Sequence, residues 1–83
     1  VGRPMTHDLL KTMILELGGR ILRVEICDLR MNTYYALIHL EQKNRHIQAD
    51  ARPSDAIALA VRFGVPILVH EKVLEKSLLE AGE

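Results

Sequence analysis

The sequence has few of the features that stabilise secreted domains or mark membrane proteins. Its 83 residues contain a single cysteine, Cys27, so no internal disulfide can form, and this composition fits a cytoplasmic protein. No apolar run approaches the ~20 residues that a membrane span needs, and no signal peptide is visible, so we expect no membrane partner. Eleven basic and eleven acidic residues cancel, and no overall basic charge favours nucleic acid.

The stretch 50–60 is the most informative part of the chain. It reads Asp50-Ala51-Arg52-Pro53-Ser54-Asp55-Ala56-Ile57-Ala58-Leu59-Ala60. Pro53 suits the first position of a helix, and Asp55 in the first turn suits the helix dipole. The next residues, through Val61, carry no polar side chain, which predicts a central Ala-rich helix over 53–63 that is buried on more than one side. A charged turn held by such an element is a good place for a site.

The remaining pattern predicts one small α+β domain over residues 1–83. The first helix runs from the N-cap Thr6 to Gly18-Gly19, and strands follow over 22–27, 33–41 and 45–51. After the helix 53–63 come a buried strand over 65–69 and a helix over 71–81. The first and last helices each have an apolar stripe: Leu9, Leu10, Met13, Ile14 and Leu17 in the first, and Val73, Leu74, Leu78 and Ala81 in the last. Short connections make the first three strands a meander. The order is therefore α-β-β-β-α-β-α, with helices packed on a mainly antiparallel sheet.

Three motifs resemble the bifunctional nuclease domain, a family of bacteria and plants. They are Arg3-Pro4-x-Thr6-His7-Asp8-Leu9, the stretch 50–60, and Val65-Pro66-Ile67. The resemblance covers nearly the whole chain and implies a cytoplasmic protein, nuclear in plants, with DNase and RNase activity. Domains of this family usually carry a further β-rich segment before the Arg-Pro motif. We therefore expect this chain, which does not begin with Met, to be the C-terminal part of a longer domain.

The polar residues of the stretch 50–60 admit two interpretations. In the first, Asp50 and Asp55 bind Mg²⁺ or Mn²⁺ while Arg52 and Ser54 contact the phosphate of DNA or RNA. In the second, the turn is structural: Asp55 caps the helix and pairs with Arg52. Capping is the more frequent role of such residues.

His7 and Asp8 admit the same pair of interpretations. As an acid/base pair they would complete a hydrolytic site with the stretch 50–60. As structural residues they would only cap the first helix. The hydrolytic interpretation requires the two segments to meet in one exposed hollow.

The other polar residues have ordinary structural explanations. His39, His46 and His70 are typical of partly exposed strand positions, although His39 and His46 flank one hairpin. Tyr34 and Tyr35 could stack a base, but on a strand one would be core and the other a cross-strand neighbour.

Two functions follow from the sequence. The first is a nuclease that hydrolyses DNA and RNA with little sequence specificity, assisted by a divalent metal. Its candidate residues are His7, Asp8, Asp50, Arg52, Ser54 and Asp55. The alternative is a non-catalytic assembly module, in which exposed apolar sheet surface is covered by a second copy to give a homodimer.

Overall fold

The computed structural model describes residues 5–81 and has the predicted element order. The helices are α1 (Thr6–Glu16), α2 (Pro53–Phe63) and α3 (Glu71–Ala81); the strands are β1 (Gly19–Arg30), β2 (Thr33–Gln42), β3 (Arg45–Ala51) and β4 (Ile67–Val69). They form one sheet in the order β3-β2-β1-β4. The β1–β2 and β2–β3 pairs are antiparallel and the β1–β4 pair is parallel. The predicted α+β fold with a mainly antiparallel sheet is confirmed. Arg3 and Pro4 lie outside the described residues.

Glycines end the first two helices as the sequence predicts. Gly18 and Gly64 have φ values of 78° and 66°, which a residue without Cβ adopts at little cost. Pro53 is the first residue of α2. Thr6, the predicted N-cap of α1, is instead its first helical residue, because the chain turns into the helix at Met5, and no side chain caps this end.

Two tight turns produce the meander. Met31 and Asn32 join β1 to β2, and Lys43 and Asn44 join β2 to β3; all four have positive φ. Two-residue turns with both φ values positive match the twist of the strands that they connect. They fix the register of β3 on β2, in which Ala36 pairs with Ala51.

Strand β1 is longer and less regular than the predicted strand 22–27. The pairing with β2 shifts between Ile21 and Arg23, so Leu22 is an extra residue on β1. An extra residue reverses the alternation of faces. As a result Ile21 and Val24 are both buried, and Leu22 is only half-buried.

The core lies between the helices and alternate residues of the central strands. Its buried apolar members are Ile21, Val24, Ile26, Leu29, Ala36, Ile38, Ala56, Leu59, Ala60 and Val73. The prediction that α2 is buried on more than one side is wrong, since Ile57 and Val61 remain 40% and 70% exposed. One layer of sheet covers only one face of this helix.

The C-terminal elements are more exposed than the sequence suggests. The predicted buried strand 65–69 is reduced to Ile67–Val69, whose three residues are all exposed because β4 lies at the sheet edge, paired with β1 on one side and with no other strand of the described residues. On α3 only Val73 of the predicted stripe is buried, while Leu74 and Leu78 are exposed. The side chain of Ala81 lies outside the described part. No helix in residues 5–81 is long and apolar enough to span a membrane.

Candidate active site

A cavity of about 560 Å³ separates α1 from the sheet and the start of α2. Its walls are formed by Thr6, His7, Leu10, Ile14, Ile21, Ile38, Leu40, Ala49, Asp50, Ala51, Arg52, Asp55 and Leu59. Most of this surface is apolar, and the polar side chains come from the first turn of α1 and from the segment that joins β3 to α2. The predicted meeting of His7 with the stretch 50–60 is therefore observed. A largely apolar cavity with a few convergent polar groups is typical of a ligand site.

His7, Arg52 and Asp55 form a hydrogen-bonded network at the mouth of this cavity. His7 Nε2 lies 2.9 Å from Asp55 Oδ1, and Arg52 Nε donates to Asp55 Oδ2 over 2.8 Å. The first contact joins the beginnings of α1 and α2, and the second closes the turn before α2. The His7 and Asp55 side chains are 28% and 33% exposed, so the network is half-buried and remains reachable from solvent.

The charge of Asp55 determines the protonation pattern of His7. The Arg52 guanidinium and, to a smaller extent, His7 lower the pKa of Asp55 below its ordinary value, so this carboxylate is ionised at neutral pH. An ionised carboxylate only accepts hydrogen bonds, and His7 Nε2 must therefore donate. When His7 is neutral, its lone pair is on Nδ1, which can take a proton from another group.

Of the other predicted site residues, one lines the cavity and two do not. Asp50 lines the cavity near the end of β3 and is exposed. Asp8 does not line it: its Oδ1 accepts from Arg62 Nε over 2.7 Å and ties α1 to α2. Ser54 is exposed at the second position of α2 and does not line the cavity either. The predicted site thus comes together without Asp8 and Ser54.

The predicted structural pairing of Asp55 is present as well. Asp55 pairs with Arg52 as the structural interpretation requires, but no side-chain hydrogen bond caps α2. The sequence does not predict the pairing of Asp8 with Arg62, because the two residues are 54 positions apart and no local pattern links them.

The fit of a divalent metal depends on Asp50 and Asp55. Within residues 5–81, no group of three or more His, Cys, Asp or Glu side chains is arranged to hold a metal ion. Mg²⁺ commonly uses only one or two carboxylates, together with waters and substrate phosphates. Asp55 retains acceptor capacity on both oxygens after its two hydrogen bonds, and Asp50 lines the same cavity. In number and type, these two carboxylates fit a cation that binds together with substrate.

A second polar group, absent from the sequence interpretation, lies on the sheet face opposite the core. We call Glu25, His39, His46 and His70 the histidine cluster. His39 Nδ1 is 2.9 Å from His46 Nε2, and His70 Nε2 is 2.6 Å from Glu25 Oε2. His39 Nε2 lies against the same carboxylate but lacks a hydrogen bond of good geometry. The register of the β2–β3 hairpin is the feature from which part of this cluster can be predicted, because it makes His39 and His46 diagonal neighbours.

The burial of His39 distinguishes the histidine cluster from the cavity network. His39 is only 2% exposed, contrary to the prediction of a partly exposed strand residue, because its neighbours on β1 and β3 cover the ring. The hydrogen bond from His70 and, to a smaller extent, the close approach of His39 lower the pKa of Glu25, against the opposing effect of burial. None of the four residues lines the cavity at α1.

The sequence of the chain matches a known family, the bifunctional nuclease domain. The sequence model of the family with that description matches residues 1–81, and the chain belongs to this family.

Individual relatives come from bacteria and plants. An uncharacterized Mycobacterium tuberculosis protein is 45% identical over 75 residues, which are 90% of this chain and 44% of the relative. "Bifunctional nuclease 2" of Oryza sativa subsp. japonica is 36% identical over 76 residues, 88% of this chain and 23% of the relative. Its Arabidopsis thaliana namesake is 32% identical over 74 residues, 86% and 22% of the two chains. The chain thus spans less than half the length of these relatives.

Proposed function

We propose that the cavity at α1 hydrolyses phosphodiester bonds in DNA and RNA with little sequence specificity. The observation that carries this proposal is the network of His7, Asp55 and Arg52 at the cavity mouth, in a chain of the bifunctional nuclease family. The network places a potential base, an orienting carboxylate and a cation within direct contact of one another. Phosphodiester hydrolysis needs these three functions.

Each residue has a distinct role in the proposal. Asp55 orients His7, and His7 Nδ1 accepts the proton of the attacking water. Arg52 uses only Nε toward Asp55, and its side chain is 79% exposed, so its terminal N–H groups can donate to a phosphate. Asp50, with a contribution from Asp55, would hold Mg²⁺ or Mn²⁺. When bound, the cation would supply Lewis-acid polarisation of the phosphate.

The apolar walls favour the same chemistry. They limit access of water to one side of the network, which strengthens the attraction between Arg52 and a phosphate. No element of this arrangement reads base sequence, which agrees with the proposed lack of specificity.

The proposal is tested with labelled single-stranded RNA and DNA in the presence of Mg²⁺, Mn²⁺ or EDTA. We expect cleavage by the wild-type chain that Asp50→Ala reduces to the EDTA level. The matched control is Glu75→Ala, which removes an exposed carboxylate of α3 far from the cavity lining. No cleavage by the wild type would reject the nuclease for this chain. Equal rates for Asp50→Ala and the wild type would reject the role of Asp50.

One observation favours the alternative of an assembly module. Several apolar side chains of α2, β4 and α3 that border one groove are exposed, among them Ile57, Val69 and Leu74. In this second proposal they pack against a second copy of the chain as a homodimer. Sedimentation equilibrium of the wild type and of Leu74→Glu tests it: we expect a dimer that the charge dissociates, and a wild-type monomer would reject it. The predicted cytoplasmic location stays a prediction.

A further inference from the structure

A second cavity adjoins the candidate active site and is lined by two tyrosines. It has a volume of about 390 Å³ and is bordered by Thr33, Tyr34, Tyr35, Ala36, Asp50, Ala51 and Arg52. Three of these residues, Asp50, Ala51 and Arg52, also line the cavity at α1. The two cavities therefore meet at the residues to which we assign phosphate and cation binding.

The unequal lengths of β2 and β3 create this space. Ala51, the last residue of β3, pairs with Ala36, whereas β2 begins three residues earlier, at Thr33. Tyr34 and Tyr35 thus have β1 as a neighbour on one side and no strand on the other within the described part of the chain. Both tyrosines are more than 40% exposed, although the sequence predicted one of them in the core. Both residues line the recess, although as consecutive strand residues they direct their rings to opposite faces of the sheet.

Contacts with neighbouring residues hold both rings in place. Tyr34 Oη and Ser77 Oγ are hydrogen-bonded over 3.1 Å, which fixes Tyr34 against α3. The guanidinium of Arg30 lies 5.2 Å from the ring centre of Tyr35. A ring held in this way loses little freedom when a ligand stacks on it. The recess thus combines an ordered aromatic surface with unpaired backbone donors and acceptors.

We propose that this recess binds the base of the nucleotide next to the phosphate held by Arg52, with Tyr35 as the stacking surface. The inference rests on the proposed nuclease function and extends it to a substrate class, single-stranded nucleic acid. A stacked base must be out of the duplex, and aromatic stacking accepts every base, so affinity comes without sequence preference. The shared Arg52 connects base and phosphate within one nucleotide. An extended peptide paired with the β2 edge is the competing occupant.

Binding is measured in EDTA, so that the result does not depend on cleavage. The probe is a fluorescein-labelled thymidine hexanucleotide followed by anisotropy, with the matched duplex for comparison. The chain has two tyrosines and no tryptophan, so its intrinsic fluorescence reports on Tyr34 and Tyr35 alone. We expect binding of the single strand, weaker binding of the duplex, and quenching of tyrosine fluorescence.

The variants separate the ring of Tyr35 from its hydroxyl. Tyr35→Ala should weaken binding by about tenfold, within the range that a stacked base contributes. Tyr35→Phe keeps the ring and should bind like the wild type. Tyr34→Phe, which removes the contact with Ser77, is the matched control and also should bind like the wild type. Thermal melting of each variant shows that it is folded.

Several outcomes would overturn the subsite. They are no binding by the wild type, equal binding by Tyr35→Ala, equal losses in Tyr35→Ala and Tyr35→Phe, or preference for an extended peptide over the oligonucleotide. The result is separable from the nuclease test. Binding without cleavage removes the nuclease and keeps the subsite, whereas cleavage with the same KM in Tyr35→Ala keeps the nuclease and removes the subsite.

Discussion

Two histidine–carboxylate networks occupy the domain, and they differ in what surrounds them. At the cavity mouth, one histidine and one arginine share the carboxylate of Asp55. On the opposite sheet face, His39 and His70 share the carboxylate of Glu25. In both places the partners lower the pKa of the carboxylate. The network of Asp55 borders the cavity with apolar walls at α1, and no residue of the histidine cluster lines that cavity.

The comparison shows that a lowered pKa and a histidine partner do not define an active site. In the histidine cluster the ring of His39 is buried against His46 and Glu25, and none of the four residues lines the cavity at α1. In the described part of the chain, the cavity network leaves His7 Nδ1 and the terminal nitrogens of Arg52 without a hydrogen bond. We therefore assign chemistry to the first network and stability to the second, and the predictions below test this division.

The largest expected effect is the loss of catalysis in His7→Gln. Loss of a general base should reduce the rate by about 10²–10⁴-fold. Because the contact with Asp55 is partly exposed, the free energy of unfolding should fall by less than about 1 kcal/mol. Cleavage of labelled single-stranded RNA gives the rate, and urea denaturation gives the stability.

Asp8→Asn is the matched control for His7→Gln. It changes the adjacent residue, whose carboxylate contacts Arg62 outside the cavity. We expect its rate to equal that of the wild type and its stability to decrease slightly. If Asp8→Asn lost as much activity as His7→Gln, the acid/base pair predicted from the sequence would be correct, and the assignment from the cavity lining would be wrong.

For His39→Gln we expect a smaller effect of the opposite kind, in which stability falls and catalysis is unchanged. Removal of the buried ring leaves His46 and Glu25 without this partner, and the free energy of unfolding should fall by about 1–3 kcal/mol. The cleavage rate should not change. In His70→Gln, Glu25 keeps His39 and the lost contact is exposed, so a decrease below about 1 kcal/mol is expected. An unchanged stability in His39→Gln would remove the structural role of the cluster.

The fold was largely predictable because its signals are local. Pro53 and Gly64 bound α2, and the residues with positive φ lie in the predicted turns. Family resemblance and geometry agree on His7, Asp50, Arg52 and Asp55 as neighbours. The sequence identified both polar motifs, but their meeting was a hypothesis, because the contact between His7 and Asp55 depends on the packing of α1 against α2.

Features that depend on distant contacts could not be predicted. The bulge at Leu22 changes which residues of β1 are buried, and only the pairing with β2 reveals it. Pro66 indicates an edge strand or a strand with unpaired first residues, and the edge is what the structure shows, but the parallel pairing of β4 with β1 is a distant contact that the sequence does not encode locally. Asp8 was assigned to the site with His7 because they are adjacent, but consecutive helical residues point in different directions. Its true partner is Arg62 of another helix.

The smallest expected effect concerns acid stability and Glu25. Its folded-state pKa is lowered, so the unfolded chain takes up the proton first as the pH falls. The stabilising contribution of Glu25 is fully present above its unfolded pKa of about 4.3 and is lost as the pH falls from there toward the folded value. Glu25→Gln should therefore lose less thermal stability than the wild type between neutral pH and acid. The remaining decline is shared, since Asp28 and Asp55 also have lowered pKa values.

Thermal melting from neutral pH to acid, with Glu75→Gln as the exposed control, measures this difference. The control should follow the wild-type profile, because Glu75 forms no ion pair within residues 5–81. Parallel profiles for Glu25→Gln and the wild type would show that the histidines do not stabilise the charged carboxylate. The two networks would then differ in accessibility alone, and a stabilising role of the histidine cluster would have to come from the packing of the His39 ring.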